Sequence, residues 1–187
     1  NDGVANLTTM SLHKGIGHSS ADNQRVYFIQ QVVDKWGTVD IVVNNAMAFN
    51  YRPFMETTEE DIQLIFNSAC MGTIYMMQEA FPYLKIKGGK VINFASIAGM
   101  LGMVNHASYA LAKEGIVGLT RVVALEWAPY NIQVNAIAPA GATPAWEKFQ
   151  KDEPDQIEGF LSQIPAHRMG DPETEIGPVV AFLASEE

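Results

Sequence analysis

Apolar residues along the chain follow two spacings, one typical of helices and one typical of buried strands. Between residues 22 and 37 they recur at steps of three and four, which predicts an amphipathic helix ending at Gly37. The run DIVVNNA at Asp40–Ala46 is instead short, continuous and rich in Val and Ile, as in a buried parallel strand. KVINFAS and NIQVNAIA repeat that strand pattern, each after a helical segment. Strands alternating with helices predict an α/β fold with a doubly wound parallel sheet.

The helix after the first strand is preceded by a loop, Ala48–Thr58, that contains three aromatic residues. Thr58 and Asp61 have the spacing of a capping box, which predicts that the helix begins there and runs to about Phe81. Methionines at helical spacing within it favour a core or a subunit interface. The loop aromatics either line a pocket or pack under the sheet; they are Phe49, Tyr51 and Phe54.

Tyr109 and Lys113 stand four residues apart in a proline-free run of good helix formers, so their Cβ atoms lie roughly 5 to 6 Å apart on one face. Two unit charges at about 5 Å in an effective dielectric of about 20 interact by roughly 3 kcal/mol. We therefore predict that Lys113 lowers the pKa of Tyr109 from about 10 to near 8. Such a phenol gives or takes a proton at working pH, and Ser96 hydrogen-bonds the oxygen whose charge changes. The same spacing also occurs in ordinary helices.

Three stretches together favour a catalytic role for Tyr109 and Lys113. They are NNA at Asn44–Ala46, SIAGMLGMVNHASYALAK at Ser96–Lys113 and NIQVNAIAPAG at Asn131–Gly141. From about Val26 to Ser185 the chain resembles the short-chain dehydrogenase/reductase family. The resemblance implies a Rossmann-type three-layer α/β/α fold, NAD or NADP as the cofactor, and hydride transfer between that cofactor and a secondary alcohol or ketone. It also implies that the catalytic residues are Ser96, Tyr109 and Lys113.

The resemblance implies a set of cofactor-binding residues as well. The two strand-end motifs lie in the family along the adenosine side and the nicotinamide side of the cofactor. Three positions depart from the family pattern: Met47 and Ala140 each replace a glycine, and Thr143 follows Pro139 by four residues instead of five. The implied set is Asn45, Ala46, Tyr109, Lys113, Pro139, Ala140, Gly141, Ala142 and Thr143.

A further departure lies in the second helix. Ala69 stands where family members commonly place an asparagine that holds a water of the proton relay. Asn67 and Ser68 face other sides of a regular helix, unless a local bulge brings one of them into place. Together with Met47, Ala140 and the missing glycine-rich loop, this departure motivates a second hypothesis, a catalytically weak member that serves as a binding or assembly subunit. The four-residue step from Tyr109 to Lys113 speaks against enoyl reductases, which need a wider spacing. The lysine itself speaks against halohydrin dehalogenases, which carry Arg at that position.

The ends of the chain differ from those of complete family members. Gly15–Gly17 resembles the end of the glycine-rich loop T-G-x-x-x-G-I-G, but Met10 and Ser11 stand where its first Thr and Gly belong. We therefore expect that the first βαβ unit and the last strand are missing. The prediction is a single Rossmann-type domain over residues 1–187, incomplete at both ends, in which residues 144–170 form a substrate flap.

Composition narrows the possible partners. The chain has 187 residues, 48% of them hydrophobic, and a net charge of −9, which argues against a nucleic-acid surface. The single Cys70 excludes an internal disulfide, and no apolar run is long enough to span a membrane. We predict a cytoplasmic oxidoreductase with a small-molecule substrate, and the resemblance implies a homodimer or homotetramer.

The histidines carry little of the predicted chemistry. His13, His18 and His167 show no metal-ligand spacing with one another or with Cys70, so no catalytic metal is predicted. His106 lies three residues before Tyr109 and would be near a substrate. A histidine exposed on the surface of its loop is the favoured interpretation.

Overall fold

The computed structural model describes residues 28–186. The interpretation of Gly15–Gly17 therefore lies outside the described residues. The chain divides into two compact units with their boundary between Ala138 and Pro139. Each unit is described by itself.

Helices and parallel strands alternate along the first unit, as the apolar spacing predicts. A helical segment at 28–36 ends at Gly37, whose φ is +82°. A π turn at Asn67–Met71 joins the second and third helices, and the third continues past Phe81. The elements are α1 (28–36), β1 (Ile41–Asn44), α2 (Glu59–Phe66), α3 (Gly72–Lys87), β2 (Gly89–Phe94), α4 (Ile97–Leu101), α5 (Ala107–Trp127) and β3 (Ile132–Ile137).

The three strands form one parallel sheet in the order β1-β2-β3, so the predicted parallel sheet is confirmed. Val42, Val91 and Val134 are paired neighbours in one row across it. Successive residues of a strand point to opposite faces, and Val91 and Ile92 are both 0% exposed. The sheet is therefore covered on both faces, as in Rossmann-like folds.

The core of this unit forms where α3 and α5 pack against the valine row. The contacts follow the helical period predicted from the sequence, since α3 presents Met76, Met77, Ala80 and Leu84 to the core while α5 presents Val123. Burying such side chains is the main stabilising contribution, about 1.5 to 3 kcal/mol for each large apolar one.

A chain of buried amides and hydroxyls crosses this core. Asn93, on β2, is 0% exposed; its Oδ1 accepts from Asn44 Nδ2 at 2.8 Å, and its Nδ2 donates to Thr120 Oγ1 at 2.9 Å. Thr120 Oγ1 in turn donates to the carbonyl oxygen of Ile116, one turn earlier in α5, at 2.7 Å. These bonds fix the end of β1 against β2 and α5. They account structurally for Asn44, which the sequence places beside the cofactor.

Replacing Thr120 with Val, which has the same shape, should destabilise the fold by about 2 kcal/mol. The variant leaves the buried Asn93 Nδ2 without its oxygen acceptor, and the 3.8 Å contact to Met77 Sδ is a weak substitute. Urea unfolding followed by circular dichroism measures the loss. Thr120→Ser keeps the hydroxyl and should retain most of the stability; equal losses in the two variants would contradict this assignment.

The second unit contains two short helices within residues 144–170, the segment predicted to form a flap. They are α6 (Pro144–Asp152) and α7 (Ile157–Ser162), followed by a π turn at Pro172–Ile176 and α8 (Gly177–Ala184). Trp146, Phe149 and Phe160 pack together, with ring centroids 5.2 to 6.4 Å apart. A flap function for this region stays a prediction.

One ion pair closes the segment after α7. Arg168 makes a two-pronged contact with Glu175 at 2.6 and 2.7 Å, and Glu175 also accepts from the backbone N–H of Asp171 at 2.7 Å. These donors lower the pKa of Glu175 to about 2. Asp171 caps the turn that opens on Pro172, since its side chain accepts from the backbone N–H groups of Glu173 and Thr174.

Candidate active site

The carboxyl ends of parallel strands meet at one edge of a sheet, and ligands of open α/β sheets bind there. At this edge a cleft opens between the end of β1 and the start of α3. Asn45, directly after β1, is exposed, and Ala46 is half-buried. The cleft is lined by Val43, Asn44, Asn45, Ala46, Ser68, Gly72, Thr73 and Met76.

Ser96 follows β2 at the same edge and begins α4. Its extended backbone makes it the N-cap, and its Oγ accepts a hydrogen bond from the backbone N–H of Ala98 at 3.2 Å. The residue is 9% exposed. The Ser96 side chain lies close enough to the phenol to lower the pKa of Tyr109 by hydrogen bonding, against the larger effect of burial, which raises it. The cap thus fixes the serine hydroxyl beside the phenol.

Tyr109 lies in the first turn of α5 and Lys113 one turn later, as their spacing predicts. Lys113 Nζ stands 5.8 Å from the centroid of the Tyr109 ring and donates to the carbonyl oxygen of Phe94 at 2.5 Å. Lys113 is only 5% exposed. The structure therefore brings the three predicted catalytic side chains together at the end of β2.

The direction predicted for the pKa of Tyr109 differs from what the structure gives. Burial raises the pKa of Tyr109 above its usual 10, and the hydrogen bond from Ser96 only partly opposes this. The prediction of a lowered pKa considered the charge of Lys113 alone and left out the desolvation of the phenolate. The Lys113 ammonium also points at Phe94 O. The phenol of Tyr109 is thus a neutral proton donor at neutral pH.

The pKa of Lys113 is lowered, whereas that of Tyr109 is raised. Burial lowers the pKa of Lys113 to about 8, because a charged ammonium loses its hydration; the nearby Cys70 opposes this slightly. Below that pH the group is a buried cation held by one carbonyl. An ammonium has three N–H donors, so two remain for ligand hydroxyls.

The helix bulge considered for the relay position is present, as the π turn at Asn67–Met71. Ser68 Oγ accepts from the backbone N–H of Ala48 at 3.0 Å and donates to Leu64 O at 2.7 Å, while Asn67 is exposed. Ala69 is 2% exposed and packs in an apolar cluster with Ile65, Cys70, Ala112 and Ile116. The bulge therefore turns Ser68 toward the loop after β1, and an apolar side chain occupies the relay position.

The remaining cofactor candidates, Pro139–Thr143, lie in the second unit. Thr143 caps α6 by accepting from Trp146 N at 3.4 Å. Gly141 pairs with Gly170, and Ala140 O accepts from Gly170 N at 2.7 Å. These backbone bonds hold the segment extended, and a cofactor role for it stays a prediction.

Sequence reasoning was wrong about the exposure of His106. The residue is 5% exposed, and its ring lies 5.9 Å from that of Tyr109. It is covered by Phe49 and Tyr51, from the loop after β1. A signal for this existed only in the excess of aromatic residues in that loop. The third loop aromatic, Phe54, is 74% exposed.

Within residues 28–186, no group of three His, Cys, Asp or Glu side chains has the geometry to hold a metal ion. In the same residues, no helix combines the length and the apolar character needed to cross a membrane.

The parallel sheet with helices on both faces is a Rossmann-like fold, and its carboxyl edge carries Ser96, Tyr109 and Lys113. A family model described as enoyl-(acyl carrier protein) reductase matches residues 19–187. A crystal structure from Sinorhizobium meliloti 1021, assigned as a short-chain alcohol dehydrogenase, superposes with a TM-score of 0.81 at 32% identity, over 88% of this chain and 65% of that one. The chain belongs to the short-chain dehydrogenase/reductase family.

Curated relatives agree with this assignment. A 12α-hydroxysteroid dehydrogenase from a Clostridium species is 42% identical over 160 residues, 85% of this chain and 62% of its own length. A 3-oxoacyl-(acyl-carrier-protein) reductase from Thermotoga maritima is 37% identical over 161 residues, 85% of this chain and 64% of its own. The chain thus spans less than two thirds of the length of these relatives.

Proposed function

We propose that the protein carrying this chain transfers a hydride between NAD or NADP and a secondary alcohol or ketone. The observation that carries the proposal is the contact of Ser96, Tyr109 and Lys113 at the carboxyl edge of the sheet. Relatives named as dehydrogenases and reductases support it. The family model's description names an enoyl reductase, but the four-residue step from Tyr109 to Lys113 favours the carbonyl reaction.

The residues present fit a nicotinamide cofactor at its ribose end. Lys113 is nearly buried, and two of its N–H groups remain to hold ribose hydroxyls. Asn45 and Ala46 border the cleft at the end of β1 and would line the adenosine side. Pro139, Ala140, Gly141, Ala142 and Thr143 are proposed to contact the nicotinamide side. When bound, the cofactor supplies or accepts the hydride at the substrate carbon.

The side chains divide the proton chemistry among them. In reduction, Tyr109 donates its phenol proton to the carbonyl oxygen as the hydride reaches the carbonyl carbon; in oxidation, the phenolate takes the alcohol proton back. Ser96 hydrogen-bonds the same oxygen and stabilises its changing charge. The Lys113 ammonium stabilises the phenolate, which burial otherwise disfavours.

Turnover itself is the test of this proposal. The full-length protein is mixed with NADH or NADPH and a panel of ketones, and the loss of absorbance of the reduced nicotinamide is followed. A ketone-dependent decrease is expected with at least one of the two nucleotides. Nucleotide binding without turnover of any ketone or alcohol would overturn the proposal.

That negative result would favour the second candidate, a catalytically weak binding or assembly subunit. The observation that supports it is the apolar cluster around Ala69, which leaves no polar side chain at the relay position. Restoring the relay tests it: Ala69→Asn should create or raise turnover if the missing amide is what limits the protein. No gain would count against a role for this position.

We also propose a homodimer or homotetramer. On α5, exposed apolar or small residues recur at steps of seven, four and three: Leu111, Gly118, Val122 and Leu125. That spacing forms one stripe along the helix, and a Cβ added at Gly118 would meet no atom of residues 28–186 within 4 Å. The stripe suits close packing against the same helix of a second copy.

Leu125→Glu should dissociate such an oligomer without unfolding the protein. The side chain is 79% exposed, so a carboxylate there is solvated in the monomer and buried only in the interface. Sedimentation velocity measures the change in mass. Ile86→Glu, at the 71% exposed end of α3, is the matched control and should leave the mass unchanged. A wild-type protein that sediments as a monomer would refute the oligomer.

The cytoplasm is the proposed location, and neither nucleic acid nor membrane is a proposed partner. The net charge of −9 supports the second part, since phosphate backbones and anionic lipid surfaces both repel acidic proteins. Cell fractionation followed by immunodetection tests the location: recovery in a membrane or extracellular fraction would overturn it.

A further inference from the structure

Two rings of the first unit meet the ring of Tyr109, and a third packs against both of them. Phe49 meets the Tyr109 ring edge-on, with centroids 5.2 Å apart at 88°, and His106 also meets it edge-on at 5.9 Å. Tyr51 stacks on His106 with an interplanar angle of 6°. Phe49 lies 5.7 Å from Tyr51 and 5.6 Å from His106. We name Phe49, Tyr51 and His106 the aromatic wall.

His106 is the fixed part of the wall. Its Nδ1 contacts the carbonyl oxygen of Val104 at 2.7 Å, and since a carbonyl only accepts, Nδ1 carries the proton in this contact. The residue is 5% exposed at the N-cap of α5, three residues from Tyr109. The backbone N–H of Arg52 donates to Asn105 O at 2.9 Å and ties the loop after β1 to this side.

Asp61 holds the other side of that loop. Its Oδ1 accepts from Asn50 Nδ2 at 2.7 Å, and its Oδ2 pairs with Arg52 Nε at 2.9 Å. The same carboxylate closes the capping box with Thr58, which confirms the predicted box. The hydrogen bond from the backbone N–H of Thr58 keeps the pKa of Asp61 below its usual value, and the Thr58 hydroxyl and the charge of Arg52 act in the same direction. Asn50 and Arg52 flank Tyr51 in sequence, so Asp61 fixes the stretch that carries the loop rings.

The wall offers an apolar surface beside the proton donor. Phe49 remains 37% exposed although it contacts Tyr109, which is not how a pure core residue packs. Aromatic pairs gain about 0.5 to 1.5 kcal/mol beyond area burial when their rings stack or meet edge-on. A rigid apolar ring system also buries apolar area against such rings without the loss of rotational freedom that a flexible acyl chain suffers on binding.

We infer that the aromatic wall selects alcohols and ketones whose reacting carbon belongs to an apolar ring system, and that Asp61 is the positioning residue that keeps the wall in place. The inference rests on the proposed function, because it concerns the substrate of the same site. It adds to that function a substrate class and a device for recognising it.

Paired ketones of equal carbon number test the wall in the full-length protein. The probes are decalone, a bicyclic ketone, and a linear methyl ketone with as many carbons. Wild type should have the higher kcat/KM for decalone, and Phe49→Ala should reduce that preference by about tenfold, mainly through KM. Phe54→Ala, in the same loop but 74% exposed and outside the wall, should retain the preference.

The positioning role of Asp61 has its own matched pair. Asn50→Ala removes one loop anchor and leaves the helix cap intact, whereas Thr58→Ala removes the cap hydroxyl and leaves both loop anchors. Asn50→Ala should raise KM for decalone about threefold to tenfold with kcat nearly unchanged. Thr58→Ala should lower the melting temperature without moving KM.

The outcomes separate this inference from the proposed function. No turnover of either ketone overturns the proposed function and the inference together. Turnover of both with equal kcat/KM, or a preference that Phe49→Ala leaves unchanged, overturns the wall and leaves the hydride transfer standing. Equal changes in KM for Asn50→Ala and Thr58→Ala overturn the positioning role of Asp61.

Discussion

Tyr109→Phe is expected to lower kcat for ketone reduction roughly 10³-fold, within the range that a positioned general acid contributes. The change removes one oxygen atom. It keeps the ring that contacts Phe49 and leaves Lys113 on Phe94 O, so reduced-nucleotide affinity should stay within about threefold. Stopped-flow measurement of hydride transfer, with nucleotide titration by fluorescence, separates the two quantities.

The matched control for this substitution is Tyr130→Phe. Tyr130 lies directly after α5, 45% exposed, with its ring edge-on to Phe81. Removing its hydroxyl tests whether loss of any phenol from this region affects turnover. We expect no change there. A Tyr109→Phe variant that keeps more than about a tenth of wild-type kcat would contradict the role of the phenol as the acid.

The raised pKa of Tyr109 gives the two directions of the reaction different pH behaviour. A neutral phenol is ready to donate, so reduction needs no prior ionisation near neutral pH. Oxidation needs the phenolate, and burial disfavours it. We therefore read Ser96 and Lys113 as the groups that make the phenolate accessible when substrate and nucleotide replace water around it.

Local chemistry explains what the sequence predicts well. The capping box of Thr58 and Asp61 needs only residues three apart, and the contact of Tyr109 with Lys113 needs only one helical turn. The strands follow from short continuous Val and Ile runs, which are typical of parallel strands that helices cover on both faces. Each of these features is encoded within a few residues of itself.

Features that depend on distant packing were not predicted in the same way. The pKa of Tyr109 depends on burial by elements that the Coulomb argument did not include. His106 is buried because a loop from the end of β1 covers it, and nothing beside His106 in the sequence encodes that cover. At Ala69 the sequence left both a regular helix and a local bulge open, because helical spacing alone does not distinguish the two; the structure has the bulge, as a π turn.

Lys113→Met is expected to change how stability depends on pH. The pKa of Lys113 is about 8 in the folded protein against 10.5 unfolded, so between these values the unfolded chain binds a proton that the folded protein does not. Wild-type stability should therefore rise with pH across that window, by about 3 kcal/mol from this group. Below about pH 8 both states are protonated, and the burial of the charge is a constant cost.

Urea unfolding of wild type and variant near pH 7 and near pH 10 gives the difference in their free energies of unfolding at each pH. The change in that difference between the two pH values measures the effect. Methionine cannot titrate, so the stability of the variant relative to wild type should fall by about 3 kcal/mol from the lower pH to the higher. Lys87→Met, on the exposed last turn of α3, is the control and should show no such change. If the free energies of unfolding of wild type and Lys113→Met changed with pH in parallel, the claim that buried Lys113 destabilises the fold when charged would be contradicted.

The same variant separates stability from function. At neutral pH, Lys113→Met removes a buried charge but leaves Phe94 O without its donor, and the second effect costs about 1 to 3 kcal/mol, so net stability should change little. Hydride transfer should nevertheless fall by roughly 10²-fold or more, because the phenolate loses its cation. Methionine would fill the same space without the electrostatic cost of a buried charge. A lysine that destabilises the fold and is needed only for turnover therefore indicates a site selected for its chemistry and not for stability.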